Sequence, residues 1–176
     1  MYQDRAAMSF IVSQANSLDV EGNILLFEFE NVLDLERVLE FEPWSYNKHL
    51  VAFEWAVDAE SMPSLAFTET VFWVQLHNIP ERCLTQEIGE AVGNMLGSTI
   101  QVANLEDDGS GSEFLWVRVS LDISKPVPRC CKLWSKGDHI GWQLLKFECL
   151  PNICYWCDRV IHNERECELW LRGRET

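Results

Sequence analysis

Residues 154–167 read CYWCDRVIHNEREC, a C-x2-C-x4-H-x4-C spacing that sets Cys154, Cys157, His162 and Cys167 apart from the other thiols and imidazoles of the chain. Three thiolates and one imidazole form the closed, tetrahedral donor set of a structural zinc site. With four protein ligands no position is left for water, so hydrolytic zinc chemistry is not expected. One Zn2+ would instead fold a segment too short to have a core, with an apparent binding free energy of about 10–16 kcal/mol at neutral pH. Losing a ligand should unfold this segment and need not unfold the rest. The plainer alternative is three reduced cysteines and a surface histidine.

No other constellation points to catalysis. The chain has no G-x-S-x-G, phosphate-binding loop or paired-carboxylate signature, and nothing places Cys83 beside a base. His49, His77 and His139 have no partner at metal-ligand spacing and are read as structural. Seven cysteines, an odd number without framework spacing, suit reduced thiols plus a metal site better than a disulfide scaffold. Cys130 and Cys131 are accordingly read as structural. The expectation is a non-enzyme.

Charge narrows where a polyanion could bind. The net charge is −14, which opposes strong nucleic-acid binding by the chain as a whole. Residues 1–112 carry −15, however, and residues 113–176 carry +1. Within 125–147, Lys125, Arg129, Lys132, Lys136 and Lys146 face only Asp138. Phosphate contacts are therefore expected there and at Arg159 and Arg165 of the Cys/His segment. Tyr155 and Trp156, between the leading cysteines, could stack on unpaired bases or pack on the neighbouring domain. Trp44, Trp55, Trp73, Trp116 and Trp142 are read as core or sheet-packing residues.

The elements that must position these groups follow from patterning. ILLFEFE (24–30) reads as a strand, Asn31 as the cap of a helix with Asp34 three residues on and apolar positions at Val32, Leu35, Val38 and Leu39, and HLVAFEWA (49–56) as a second strand. A short helix is expected over 8–15. A linker over 57–70 leads to a strand at 71–79, a helix capped by Thr85 and closed by a left-handed Gly97, and strands at 99–105, 113–123 and 139–149, the last paired across a turn at 134–138. EDDGSGS (106–112) reads as a flexible tip. The fold class is α+β: short sheets with helices on one face, in two similar halves (1–57 and 70–150) of a 1–150 domain, then a knuckle at 151–168 and a tail at 169–176.

These landmarks carry a resemblance. ILLFEFENVLDLERVLEFEPWSYNKHLVAFEW, FWVQLHNIP, IGEAVGNMLG, FLWVRVSLDISKPV and LPNICYWC stand in the order found in a plant family derived from non-LTR retrotransposons, in which an RNA-recognition-motif-like domain precedes one CCHC knuckle. The likeness spans roughly residues 20–167. It implies a ferredoxin-like α/β scaffold, one structural zinc, and binding of single-stranded RNA or DNA through the knuckle. Two positions depart from the pattern: Asp158 and Ile161 stand where such knuckles carry glycine, which bears on metal affinity. EGNILLFE (21–28) also lacks the leading base and both stacking residues of an RNA-recognition motif, so sheet-face binding is not expected.

No run reaches the roughly 20 apolar residues needed to span a bilayer, and MYQDRAAMSFIVSQ has no signal-peptide character. An intracellular protein, nuclear or cytoplasmic and not secreted, is expected. The runner-up reading is a protein-interaction domain or decayed transposon fragment, its partner held by the acidic first half and its zinc purely structural.

Overall fold

The computed structural model describes residues 6–11, 24–29, 31–56, 65–103, 114–135, 138–160, 162 and 164–173. Within them lie two antiparallel sheets and three helices, the α+β class the sequence implies. The first sheet has the order β2-β1-β4-β3, from β1 (Ala6–Ile11), β2 (Ile24–Phe29), β3 (Trp44–Tyr46) and β4 (His49–Ala56). The second has the order β6-β7-β5-β9-β8, from β5 (Glu69–His77), β6 (Ser98–Val102), β7 (Leu115–Asp122), β8 (Cys130–Ser135) and β9 (Asp138–Phe147).

The helix expected over 8–15 is not formed at its start: Ala6–Ile11 is a strand, paired antiparallel with β2 from Ala6↔Phe29 to Ile11↔Ile24 and with β4 from Ala7↔Ala56 to Ile11↔Ala52. Residues 12–15 lie outside the described residues. Both backbone edges of β1 are satisfied by ladders, a tertiary pairing that overrides weak local preference. The expected EDDGSGS tip lies outside the described residues as well.

α1 (Val32–Glu40) begins as its sequence suggests, with the Asn31 side chain accepting from the Leu33 N–H at 3.0 Å. Asp34 turns instead to Arg37, 3.3 Å away on the exposed face. The buried stripe of α1 centres on Leu35, packed with Val51 and Phe53 of β4.

In the second unit β5 alternates strictly, with Thr70, Phe72, Val74 and Leu76 buried on one face, and β7 matches it with Leu115, Val117, Val119 and Leu121. α2 (Gln86–Leu96), capped by the Thr85 hydroxyl accepting from the Ile88 N–H, covers that face. At its end Gly97 has φ −178, extended rather than left-handed as the sequence suggests. Glycine is needed there for space: a Cβ would fall within the van der Waals shell of the Ser120 carbonyl oxygen in β7.

The main core joins the five-stranded sheet to part of β4 and to the Cys/His segment. Phe72, Val74, Val117 and Leu145 are packed in one cluster with Ala52 of β4 and with Val160 of the Cys/His segment. Three of the tryptophans read as core or sheet-packing residues lie outside the core: Trp44, Trp55 and Trp142 are 42%, 54% and 58% exposed. Trp142 faces outward because the alternation along β9 gives the buried side to Gln143 and Leu145, whereas β3, which carries Trp44, is exposed throughout. Trp73 and Trp116 do pack on the sheet, ring against ring at 6.4 Å. Among the described residues no helix is long and apolar enough to cross a membrane.

Candidate metal centre

Beyond β9 the chain runs back over the core, with Leu150 and Ile153 packed against it, and reaches Cys154. A tight loop follows. The Asp158 N–H donates to the Cys154 carbonyl at 2.8 Å, and the Cys154 N–H donates to the Arg159 carbonyl at 2.9 Å, so the loop closes on itself. Asp158 sits at φ 58, in the left-handed region that Gly, Asn and Asp tolerate better than other residues. The sequence comparison with glycine-bearing knuckles thus identifies a real backbone demand, met here by an aspartate. Ile161 lies outside the described residues.

Val160 then anchors the loop in the main core, 5% exposed, while the Val127 N–H donates to the Asp158 carbonyl at 2.7 Å. His162 follows, and a single 3-10 turn (Glu164–Glu166) delivers Cys167 to the start of α3 (Glu168–Gly173). The Leu171 N–H donates to the Cys167 carbonyl at 2.9 Å.

This path gathers Cys154, Cys157, His162 and Cys167 so that their ligand atoms all lie within 4.8 Å of one another. The Cys157 Sγ and His162 Nε2 are 3.2 Å apart. A tetrahedral zinc with bonds of about 2.3 Å to sulfur and about 2.0 Å to nitrogen needs ligand atoms roughly 3.5–3.8 Å apart, so the donor set fits. Cys154 and Cys167 are buried and the other two half-buried. Burial, reinforced by the Cys154 and Cys167 side chains against a hydrogen bond from the Arg159 backbone, pushes the Cys157 thiol up to about 11. Burial acts in the same sense on Cys167, but the Trp170 N–H and then His162, Cys154 and Cys157 outweigh it and hold that thiol at about 7. A metal requires both as thiolates.

The residues expected to meet a nucleic acid are distributed unevenly. Tyr155 is 71% exposed on the loop, and Trp156 leaves one side open while its ring meets Trp170 edge-on at 4.9 Å. Arg129 lies over the Tyr155 ring at 4.9 Å and forms an ion pair with Asp158. Arg159 and Arg165 are exposed. Lys132 and Lys146 stand on the exposed face of β8 and β9, with the Lys132 ammonium 4.8 Å from the Trp142 ring. Lys125 stands apart, paired with Asp122 at 2.9 Å in the turn after β7. Lys136 lies outside the described residues. Sequence reading missed the Arg129–Asp158 pair and the anchoring role of Val160. The apolar pair Val160 and Ile161 between Cys157 and His162 is the sequence signal that hints at the latter.

Of the remaining thiols, Cys83 and Cys131 are buried in the main core and Cys130 and Cys149 are exposed. Burial together with the neighbouring Cys130 raises the Cys131 thiol. His77 meets the Gln75 side-chain oxygen at 2.9 Å and stacks on Phe114 at 4.7 Å.

No protein-family model and no solved structure matches the chain. It is similar to a curated plant protein, the uncharacterized protein At4g02000 of Arabidopsis thaliana, with 24% identity over 136 residues. The matched region covers 77% of this chain and 42% of that protein, so the chain spans less than half of its relative's length.

Proposed function

We propose that this chain is a non-catalytic module of retrotransposon origin that binds single-stranded RNA or DNA through a zinc knuckle carried on an RNA-recognition-motif-like scaffold. The observation that carries this reading is the gathered Cys154, Cys157, His162 and Cys167 set with Tyr155 and Trp156 exposed on the same loop. Cys154, Cys157, His162 and Cys167 would hold a zinc ion that keeps the loop closed, the two aromatic rings stack on bases, and Arg159 and Arg165 meet phosphates. Stacking is worth about 1–3 kcal/mol per base and is indifferent to base identity. Four protein donors would fill a tetrahedral zinc and leave no position for an activated water, which supports a non-catalytic role.

The test is zinc stoichiometry by native mass spectrometry followed by binding of labelled single strands at low salt. The zinc-loaded chain should bind with an affinity that falls as salt rises, and His162→Ala should lose both metal and binding. A zinc-loaded chain that binds neither RNA nor DNA single strands would overturn the reading.

A second reading has its own observation: α1 exposes Val32, Leu33 and, just past its end, Phe41, which are 46%, 59% and 68% accessible, in the strongly acidic half of the chain. A protein partner bound there, through apolar contacts ringed by acidic residues, would form a complex that survives Cys154→Ser and ignores nucleic acid.

A further inference from the structure

Opposite the face covered by α2, the five-stranded sheet presents a second set of side chains. On β8 burial alternates so that Cys130, Lys132 and Trp134 point outward, and on β9 Trp142, Leu144 and Lys146 do the same. The register places them together: Cys130 is opposite Leu144, and Lys132 is opposite Trp142. Neighbouring rows continue onto β5 and β7, with Lys146 beside Gln75 and Trp116, and Leu144 beside His77, which stacks on Phe114. Trp134, Trp142 and Leu144 are 60%, 58% and 41% exposed. Scattered apolar residues on a surface need no explanation, whereas a contiguous group with two indoles marks an interaction site.

Charge selects the partner. Among the outward positions of β8 and β9 whose side chains are described, six in all, two are lysines and none is a carboxylate, in a chain of net charge −14. The nearest acid in the neighbouring rows, Glu148, accepts a hydrogen bond from the Gln75 amide at 2.9 Å. Aromatic faces flanked by ammonium groups suit a polyanion whose rings are free to stack, and a duplex keeps its rings stacked on one another.

We propose that the outward face of β8 and β9, centred on Trp142 and Lys132, is a base-stacking track for single-stranded nucleic acid. It rests on the single-strand reading above but concerns a separate surface. The absence of stacking residues in EGNILLFE does not bear on it, because that segment leads into β2 of the other sheet.

The experiment uses the full zinc-loaded chain, fluorescence anisotropy with labelled oligouridylate and oligothymidylate at low salt, and the variants Trp142→Ala, Trp134→Ala and Lys132→Gln. Native mass spectrometry and circular dichroism establish that each variant keeps its zinc and fold. Trp142→Ala should weaken binding about tenfold, within the range of one lost stacking contact. Lys132→Gln should lower the magnitude of the salt slope by about 0.7. Ultraviolet crosslinks should map to β8 and β9 as well as to the knuckle. If wild type binds and folded, zinc-loaded Trp142→Ala binds within twofold of it, the track is wrong and the knuckle reading stands. A wild-type dimer that Trp142→Ala converts to monomer would equally overturn it, by making this face a contact between copies. Failure of wild type to bind any single strand removes both readings.

Discussion

Arg129 and Asp158 are joined by an ion pair between the start of β8 and the loop that carries the first two metal ligands. The same guanidinium lies over Tyr155, so one side chain ties the loop to the sheet through charge and through a ring. Asp158 is held at both levels, since its carbonyl accepts from the Val127 N–H and its backbone occupies the left-handed region.

Substitutions at Asp158 should separate these two roles. Asp158→Gly loses a half-exposed ion pair, worth about 0–1 kcal/mol, and relieves a left-handed backbone by a similar amount, so zinc affinity should change less than about fivefold. Asp158→Val loses the pair and strains the turn, and should weaken zinc at least about tenfold. Competition with a chelator of known affinity measures both.

Because Val160 is packed in the main core, zinc loss should be felt beyond the knuckle. Exposing one valine costs about 1.5–2 kcal/mol, and a chain of this size shifts its melting temperature by about 2–4 °C per kcal/mol. Chelation or Cys154→Ser should therefore lower the main melting transition by roughly 3–8 °C. An unchanged melt followed by near-ultraviolet circular dichroism would show the core to be indifferent to the metal.

Gly97→Ala should destabilise the chain by about 1–3 kcal/mol, because the new methyl meets backbone rather than a yielding side chain. Gly173→Ala, where a Cβ makes only an ordinary contact with Trp156, should be nearly neutral. Urea unfolding of the two variants provides the comparison.

Glu42 gives stability a pH dependence. It is 8% exposed beside a 210 Å³ cavity also lined by Glu54 and Glu69, and burial, opposed by the Arg118 charge, raises it from 4.5 to about 7. The folded state thus holds the proton more tightly than the unfolded chain, so this contribution is complete below pH 4.5 and is lost as pH rises through 7. At about 1.4 kcal/mol per pH unit the loss reaches up to about 3 kcal/mol, and Glu42→Gln should remove it. Urea midpoints at pH 5 and pH 8, for wild type and variant, test the sign.

Much of the architecture is written locally. The four ligands fall within residues 154–167, so their spacing alone identifies the donor set. Thr85 before the apolar stripe of α2, and the alternation along β5, likewise signal their own structures because capping and pleating depend on near neighbours.

Relations across the chain could not be read the same way. Arg129 and Asp158 are far apart in sequence, and only the docking of the loop on β8 pairs them. Ala6–Ile11 became a strand because β2 and β4 offered two free edges, and Gly97 is required by the carbonyl of Ser120 rather than by its own dihedral angle. Trp142 reads in the sequence as a core or sheet-packing residue, and strand register turns it outward beside Lys132. The sequence by itself determined the ligand chemistry and the principal elements, whose causes are local. Tertiary structure alone decided which faces are buried, which charges are paired and where the knuckle is moored, because those depend on surfaces meeting that the chain order does not place together.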